Sequence, residues 1–374
     1  MKITCVQENL NLGLQIAGYL TNKKINLPIL NNVLIEAKEG GVKLSSTNLE
    51  IGISCKVRCK TEQEGVFTVD ARLLSDYVNL LPNEQVNIEL EKDDFLKVSC
   101  KNYQTKMKGI PADDFPVIPH IEKEKPFKVK VKDFKKAISQ VVFAVASSEN
   151  RQELSGVFLS FNKIEKNKLI MVGTDSYRLA EKTIDLTDNN DEKEVIVPTK
   201  ALQEVLRILN NIKESPDADD IEIYLSDNQI LFTCDSVELI SRLVEGQYPD
   251  YKQIIPKETK TSVIASTNEL VKNIKTVALF SKTGIFDINL IFDSKKGLVM
   301  KTTNIQLGES VSELDVEFTG ADNETILNYR YLLDGLSNVD SDEVEVGLVD
   351  SNIPCLIRPK EKKDYLYIVM PIKQ

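Results

Sequence analysis

The chain has 374 residues, of which 42% are apolar and 28% are charged, a composition typical of a globular protein rather than a disordered one. Its formal net charge of −10, taken as a sum, argues against a nucleic-acid partner, because phosphate binding draws on positive charge. The apolar runs are too short to span a membrane, and the single histidine, His120, excludes every metal site or triad that needs two.

The first predicted elements are an alternating strand and an amphipathic helix, in ITCVQENLNLGLQIAGYL from Ile3. Leu10 and Leu14 fall at helical spacing, which places one apolar stripe on the helix. Two strands that end in a Thr-Asn pair at Thr47 follow, and then a second helix in VDARLLSDYVNLL. A strand pair, VNIELEKDDFLKVSC, and the exit segment GIPADDFPVIP from Gly109 close the unit. This order of elements predicts an α+β domain.

The same order of patterns returns twice further along the chain. The strand and helix recur from Val129 and from Ser262, with apolar stripes at the same helical spacing. The Thr-Asn or Thr-Asp pair recurs at Thr174 and Thr303, after steps of 127 and 129 residues. The exit segment recurs as GQYPDYKQIIP from Gly246. Several motifs in one order at one period predict a threefold internal repeat. We expect domains at 1–120, 125–253 and 257–374, joined by proline-containing linkers near 118–127 and 255–261.

The charge is unevenly distributed between the predicted helices and the rest of the chain. Six helix windows, 8–24, 71–81, 132–145, 199–213, 267–281 and 328–338, carry +6 together, which leaves −16 outside them. If the helices share one side of the protein, that side is a weakly basic surface that attracts phosphates without reading bases. The alternative is that these are ordinary solvated helix faces. The basic residues are Lys23, Lys24, Lys132, Lys135, Lys136, Lys200, Arg207, Lys213, Lys272, Lys275 and Arg330.

The sequence lacks the dinucleotide-binding, P-loop and nucleophile-elbow fingerprints, so we expect neither a catalytic activity nor a cofactor. We interpret the six cysteines as reduced, mostly buried thiols of a cytoplasmic protein, and the N-terminus has no apolar signal core. One alternative is a carboxylate-dependent metal nuclease built on Asp113, Asp114, Asp219 and Asp220, which lie in turn-rich sequence. Another is a repeat scaffold that binds only proteins.

Five segments carry a resemblance over the whole chain: LPILNNVLIEA (27–37), PADDFP (111–116), TDSYRLA (174–180), EGQYPDY (245–251) and IVMPIK (368–373). Together with the threefold repeat, they make the sequence similar to the bacterial DNA polymerase III β subunits, the replication sliding clamps. The resemblance implies three DNA-clamp domains, each with two helices backed by antiparallel sheets. It also implies that two chains form a six-domain ring with the helices lining the hole.

The resemblance further implies the partners. Duplex DNA would be held topologically and independently of sequence, and the replicative polymerase, the clamp loader, other polymerases and repair proteins would dock through short linear motifs. The implied peptide pocket lies between the second and third domains, with substitutions relative to many relatives at several positions, Ser176, Tyr177 and Gln253 among them. The alternative for Leu179 and Met370 is a plain core role. The implied pocket residues are Leu154, Thr174, Ser176, Tyr177, Arg178, Leu179, Pro249, Gln253, Ile254, Met370, Pro371, Ile372 and Lys373.

Two further surfaces follow from the helix charges and the resemblance. For the homodimer interface we expect Met107 in the first domain and Leu279 with Phe280 in the third, where Leu279 has the domain core as its alternative. For the DNA-facing surface, solvated exposure is the alternative at each position. The expected DNA-facing residues are Lys24, Arg72, Lys132, Lys136, Arg151, Lys200, Arg207, Lys272 and Lys275.

Overall fold

The computed structural model describes residues 1–18, 20, 27–146, 151–212, 219–281 and 284–373. Within this part of the chain it forms six α-helices and four antiparallel sheets, which confirms the predicted α+β class with two helices in each repeat. The helices are α1 (Gln7–Ala17), α2 (Ala71–Leu80), α3 (Val131–Val142), α4 (Thr199–Asn211), α5 (Thr267–Ala278) and α6 (Tyr329–Ser337).

The first helix of each repeat buries the stripe that the sequence predicts. Leu10 and Leu14 of α1 are buried, and Phe134 with Ile138 of α3 and Ile274 of α5 are buried at corresponding positions. Burying one such side chain contributes about 1.5–3 kcal/mol, so these stripes fix each helix against its sheets.

The chain divides into two compact units, and the boundaries of these units cut across the second repeat. Unit 1 contains Met1–Lys132, Thr187–Asn189 and Lys200–Leu243, and unit 2 contains Asp133–Leu186, Asn190–Thr199 and Val244–Gln374. The second repeat is therefore shared between the units. The reason lies in strand pairing across the repeat boundaries, because sheets of neighbouring repeats merge into one.

Unit 1 holds an eight-stranded and a five-stranded sheet. The strands of the larger sheet run in the order β10-β15-β16-β17-β4-β3-β2-β6, and those of the smaller in the order β5-β1-β7-β8-β9. The strands are β1 (Lys2–Val6), β2 (Asn32–Lys38), β3 (Gly41–Thr47), β4 (Ile51–Val57), β5 (Cys59–Gln63), β6 (Gly65–Asp70), β7 (Gln85–Leu90), β8 (Phe95–Cys100), β9 (Tyr103–Lys108), β10 (Phe127–Lys130), β15 (Asp220–Leu225), β16 (Gln229–Cys234) and β17 (Val237–Arg242).

Unit 2 holds a nine-stranded and a four-stranded sheet, in the orders β14-β11-β12-β13-β26-β25-β24-β18-β22 and β21-β20-β19-β23. The strands are β11 (Gly156–Phe161), β12 (Lys168–Thr174), β13 (Arg178–Asp185), β14 (Lys193–Pro198), β18 (Thr261–Ser266), β19 (Asp287–Asp293), β20 (Gly297–Asn304), β21 (Gly308–Leu314), β22 (Glu317–Gly320), β23 (Asn323–Asn328), β24 (Glu343–Leu348), β25 (Cys355–Pro359) and β26 (Tyr365–Val369).

Two strand pairs make the sheets continuous across the repeats. In unit 1, β4 of the first repeat pairs with β17 of the second, with Ile51 opposite Ser241. In unit 2, β13 of the second repeat pairs with β26 of the third, with Arg178 opposite Val369. The two junctions thus have the same arrangement. The end of β17 lies beside the turn with the Thr-Asn pair, and the end of β26 lies beside the turn with the Thr-Asp pair.

A glycine determines how closely α6 lies on the nine-stranded sheet. A Cβ on Gly335 would stand 2.2 Å from Cε1 of Tyr367, whose ring is fully buried on β26. The Tyr367 hydroxyl donates to the carbonyl of Tyr331 at 2.9 Å, which ties the ring back to α6. This contact therefore leaves no room for a side chain at position 335.

The six cysteines are free thiols, and five of them are buried. No helix in the described part of the chain is long and apolar enough to cross a membrane.

Candidate functional site

The Thr-Asp pair of the second repeat forms a tight turn between β12 and β13. The Thr174 hydroxyl donates to the carbonyl of Arg178 at 2.6 Å and accepts from the amide of Ser176 at 3.2 Å. The Asp175 carboxylate accepts from the amides of Tyr177 and Arg178 at 2.9 and 3.0 Å. Ser176 has φ 76°, in the left-handed region that favours glycine. The turn therefore directs the Tyr177 side chain outward, where it is 64% exposed.

The first repeat contains the same turn. Thr47 donates to the carbonyl of Ile51 at 2.9 Å and accepts from the amide of Leu49 at 3.1 Å. Leu49 has φ 73°, and Asn48 accepts from the amide of Ile51 at 2.8 Å. The carbonyl of Glu50 accepts from the amide of Arg242 at the end of β17, just as the carbonyl of Tyr177 accepts from the amide of Met370 after β26. The backbone turn is thus part of the repeated scaffold, and any function specific to one copy must come from its side chains.

Arg178 is the side chain that most distinguishes the second copy. Its Nε donates to Asp175 at 2.9 Å, its Nη1 to Asp334 at 2.5 Å and its Nη2 to the carbonyl of Phe143 at 2.9 Å. The guanidinium carbon lies 5.6 Å from the ring centroid of Phe143 and 4.6 Å from that of Tyr331. At 12% exposure the side chain is nearly enclosed. We call these five residues the Arg178 bridge.

The C-terminal segment runs alongside this turn. The amide of Met370 donates to the carbonyl of Tyr177 at 2.8 Å, and the amide of Ile372 donates to the carbonyl of Ile326 on β23 at 2.8 Å. Met370, Pro371 and Ile372 are half-buried. The segment therefore lies across unit 2 from the turn to the four-stranded sheet.

The remaining predicted pocket residues all lie in unit 2 but differ in exposure. Leu154 and Thr174 are joined because their carbonyls accept from the same amide, that of Ala146, at 3.2 Å each. Both are buried, and so is Leu179, which packs in a cluster with Tyr251 and Ile368. Exposed members are Ser176, Tyr177, Pro249, Gln253, Ile254 and Lys373.

The burial of Leu179 fits the core role that the sequence left open for it, whereas Met370 is half-buried. The exposed and half-buried members provide accessible surface. The exposed amide of Gln253 donates to Asp250 at 2.8 Å, which orients it at the surface of the exit segment. Sequence reasoning missed Phe143, Tyr331 and Asp334. They lie far from the Thr-Asp motif along the chain, and an aromatic residue in a helical stripe gives no signal of such a contact.

A half-buried carboxylate lies on β13, the strand that follows the turn. Glu181 on β13 is half-buried, and desolvation raises the pKa of its carboxyl above the usual range. Its neighbour Lys182 is 3% exposed and donates to Asp364 at 2.5 Å, while burial lowers the pKa of its ammonium group. Asp364 compensates for the buried charge of Lys182, whereas the Glu181 carboxylate is destabilising while it is ionised.

Most of the predicted DNA-facing lysines that the structure describes are exposed on the helix surfaces. Lys132 on α3, Lys200 on α4, and Lys272 and Lys275 on α5 are exposed. Arg151 is exposed at the start of a short helical turn.

Three other predicted positions differ from this group. The side chain of Arg72 on α2 is 87% exposed, and its Nε lies 3.8 Å from Oδ2 of Asp76. Lys136 forms an ion pair with Asp340. Lys24 lies outside the described residues.

Arg207 on α4 has a different environment from the one that the sequence suggested. Its Nη1 and Nη2 donate to the carbonyls of Gln15 and Ile16 at 2.7 and 2.8 Å, and its Nε donates to Glu204 at 2.7 Å. Those carbonyls are in the last turn of α1, which ends at Ala17 and leaves them without helical partners. This geometry favours a role for Arg207 as a cap that joins the first and second repeats over a role in contacting DNA.

The predicted interface positions differ in their exposure to solvent. Met107 on β9 is 4% exposed, so it offers little free apolar surface. Leu279 at the end of α5 is 74% exposed, and Phe280 is half-buried.

Unit 2 exposes further apolar residues near β21. Ile305 is 97% exposed, Leu307 59% and Val311 50%. Val311 lies on β21, the edge of the four-stranded sheet, and β9 is an edge of the five-stranded sheet. Each edge strand has one side without a neighbour in its own sheet.

The acidic residues considered for a nuclease do not converge. Asp219 and Asp220 both pair with Lys130, each at 2.9 Å, whereas Asp113 and Asp114 lie in a separate helical turn, Ala112–Asp114. Among the residues described, no group of three or more His, Cys, Asp or Glu side chains is placed to hold a metal ion. This arrangement does not provide the convergent carboxylates that two-metal chemistry requires.

Comparisons with known proteins agree along the whole chain. Family models of the DNA polymerase III beta subunit match residues 1–119 as the N-terminal domain, 128–250 as the central domain and 252–373 as the C-terminal domain. A beta sliding clamp of Staphylococcus epidermidis is 28% identical over 361 residues, which cover 94% of this chain and 93% of that protein.

Solved structures show the same likeness. The DNA polymerase III beta subunit of Thermotoga maritima has a TM-score of 0.92 at 30% identity and covers 100% of this chain and 99% of its own. A Pseudomonas aeruginosa sliding clamp bound to griselimycin has a TM-score of 0.92 at 28% identity and covers 100% of both chains.

Proposed function

The chain belongs to the DNA polymerase III beta subunit family, and we propose that it acts as a DNA sliding clamp that encircles duplex DNA and keeps the replicative polymerase attached to it. The observation that carries this proposal is the clamp domain repeated three times over the full length. We place the domains at 1–120, 125–253 and 257–374. Two chains contribute six such domains, and head-to-tail contacts that rotate by about 60° per domain close into a ring.

The helices supply the DNA-facing surface in this proposal. Exposed lysines on three helices, Lys132, Lys200 and Lys272 among them, carry positive charge on an otherwise acidic protein. Phosphate contacts of this kind hold DNA without reading its sequence. A ring is retained by its topology, so sparse charges suffice and leave the protein free to slide. A scaffold that binds only proteins offers no reason for this segregation of charge.

The two open sheet edges suit the ring closure. β9 carries Lys106 and Lys108, and β21 carries Glu309 and Glu313. Several of these charges already pair within the chain, as Lys106 does with Glu91 and Glu309 with Lys301. Pairing β9 of one chain with β21 of the other would satisfy the unpaired backbone groups along both edges. The exposed Leu279 would then lose water contact in the same interface.

The surface formed by the turn at 174–178 and the C-terminal segment is the proposed docking pocket for linear motifs of polymerases, the clamp loader and repair proteins. Met370, Pro371 and Ile372 offer half-buried apolar surface beside the exposed Tyr177. Apolar surface flanked by a few polar groups fits short peptides. In this proposal the protein works without a catalytic site or a cofactor, and in the cytoplasm.

Oligomeric mass tests the ring directly. By sedimentation equilibrium at micromolar concentration, the wild-type protein should have twice the chain mass of 42.1 kDa. Leu279→Asp should shift it towards 42.1 kDa, because a carboxylate would be buried in the interface. Val117→Asp is the matched control, since Val117 is 92% exposed in the exit segment of the first repeat and should leave the dimer intact. A wild-type monomer would overturn the ring.

A further inference from the structure

The Arg178 bridge joins three separate segments of unit 2 through one side chain. Asp175 comes from the turn of the second repeat, Phe143 follows α3, and Asp334 with Tyr331 comes from α6 of the third repeat. Each of the three guanidinium nitrogens has a partner in a different segment. The bridge therefore links the turn of the proposed pocket to a helix that contributes no residue to that pocket.

The charges of the bridge are balanced unequally. Asp175 is 16% exposed and Asp334 is 52% exposed, so Asp175 is the enclosed counter-charge and Asp334 the outer one. If Asp334 lost its charge, Arg178 would keep a paired carboxylate, and the fold would not be left with an unpaired buried cation. What would be lost is the charged hydrogen bond that ties the turn to α6.

The bridge is attached to the part of the turn that faces the pocket. The carbonyl of Arg178 accepts from Thr174, and the carbonyl of the preceding Tyr177 accepts from Met370. Ser176, which precedes Tyr177, has a left-handed backbone, a conformation that persists in a non-glycine residue only when its surroundings hold it. A shift of Arg178 would thus be transmitted directly to Tyr177 and Met370.

The internal repeat provides a comparison within the same chain. The first repeat has the same turn, with Leu49 at φ 73°, but Ile51 stands where the second has Arg178. An isoleucine cannot donate to a second segment. The first copy of the turn therefore lacks the side chain that makes the ionic link to a neighbouring repeat in the second copy.

We propose that Arg178 is a positioning residue for the peptide pocket, which it holds in its binding conformation by pairing with Asp334 on α6. The inference rests on the proposed pocket. Because coupling between two sites is reciprocal, a ligand in the pocket should stabilise the docking of α6, just as the docked α6 favours the ligand.

The test measures binding of griselimycin, the compound bound to the Pseudomonas aeruginosa relative, to the full-length protein by calorimetry. Asp334→Asn should weaken binding about fivefold or more, the lower range of allosteric couplings. Asp334→Glu should restore most of it, because the carboxylate returns. Asp340→Asn is the matched control, since Asp340 pairs with Lys136 beyond the end of the same helix and is 65% exposed.

A second readout separates positioning from a general loss of stability. In hydrogen exchange, griselimycin should protect the amides of α6 in the wild type and in Asp340→Asn, and should protect them much less in Asp334→Asn. Unchanged affinity and unchanged protection in Asp334→Asn would overturn the role of the bridge.

A final comparison distinguishes failure of the bridge from failure of the pocket. Met370→Ala should abolish binding if the compound occupies the pocket. Absence of binding to the wild type, or unchanged binding to Met370→Ala, would overturn the pocket assignment itself and the bridge with it. Binding that needs Met370 but not Asp334 would overturn only the bridge.

Discussion

Replacing Arg207 by methionine tests whether this side chain caps α1 or contacts DNA. The methionine keeps much of the apolar stem and removes the guanidinium, which donates to the carbonyls of Gln15 and Ile16 at 2.7 and 2.8 Å. Hydrogen bonds from charged donors contribute about 1.5–3 kcal/mol each to stability. Part of that free energy is recovered in the variant, because water can donate to the exposed carbonyls. The favourable interaction with the C-terminal end of the helix dipole is lost as well, about 0.3–1 kcal/mol.

The net loss should be about 2 kcal/mol, because the Arg207 side chain is 24% exposed and water partly replaces its bonds. The two compact units make a single global unfolding free energy ill-defined, so local hydrogen exchange is the suitable assay. Amides near the end of α1 should lose protection by about 30-fold, the equivalent of that free energy. Arg207→Lys should cause a smaller loss of protection, because an ammonium keeps the positive charge but cannot donate in the bidentate geometry of a guanidinium.

The competing role predicts a different pattern. If Arg207 contacted a phosphate, Arg207→Met would reduce the salt dependence of duplex binding by about one unit of slope and leave α1 protected. Lys200→Met is the control on the same helix, because Lys200 is exposed and should affect only DNA binding. Unchanged α1 protection together with a reduced slope in Arg207→Met would refute the capping role.

Three further predictions concern the interior of unit 2. Gly335→Ala should destabilise α6 by about 1–3 kcal/mol in local hydrogen exchange, because the alanine Cβ would overlap the ring of Tyr367. This loss should exceed the gain from alanine's higher helix propensity. Equal or greater protection of α6 in the variant would contradict the close packing. Asp364→Asn should destabilise β13 by about 2 kcal/mol in local hydrogen exchange, because it leaves Lys182 charged and buried. The deficit should shrink as pH rises, since burial already lowers the pKa of that lysine, and a pH-independent deficit would contradict this cause. Glu181→Gln should increase the protection of β13 in local hydrogen exchange at pH 7, because a carboxyl whose pKa is raised by burial destabilises the fold while it is ionised. The gain should vanish as pH falls through that raised pKa, and a constant gain would show another cause.

The repeat, the helices and the class of fold were predictable from the sequence because they depend on local periodicity. Leu10, Leu14 and their counterparts in α3 and α5 are buried as the helical spacing required. The division into two units was not predictable. It depends on pairing β4 with β17 and β13 with β26, strands that lie more than 180 residues apart, and register between such strands leaves no short-range signal.

The candidate site was predictable in its backbone and less so in its side chains. The Thr-Asp pair marked the end of a predicted strand, and in the structure the Thr174 hydroxyl and the Asp175 carboxylate accept from the amides of the turn that follows. The partners of Arg178, Lys136 and Arg207 could not be predicted. A basic residue on a polar face gives the same pattern whether it meets solvent, DNA or a carboxylate brought near by the tertiary fold.

The most direct test of the proposed function is the lifetime of the loaded protein on DNA before and after the DNA is cut. The protein would be placed on nicked circular duplex by its clamp loader, isolated by gel filtration, and followed after a restriction enzyme linearises the circle. A sliding clamp should stay on the circle and leave the linear product from its ends. Equal retention on circular and linear DNA would contradict the proposal that topology holds this protein on its partner.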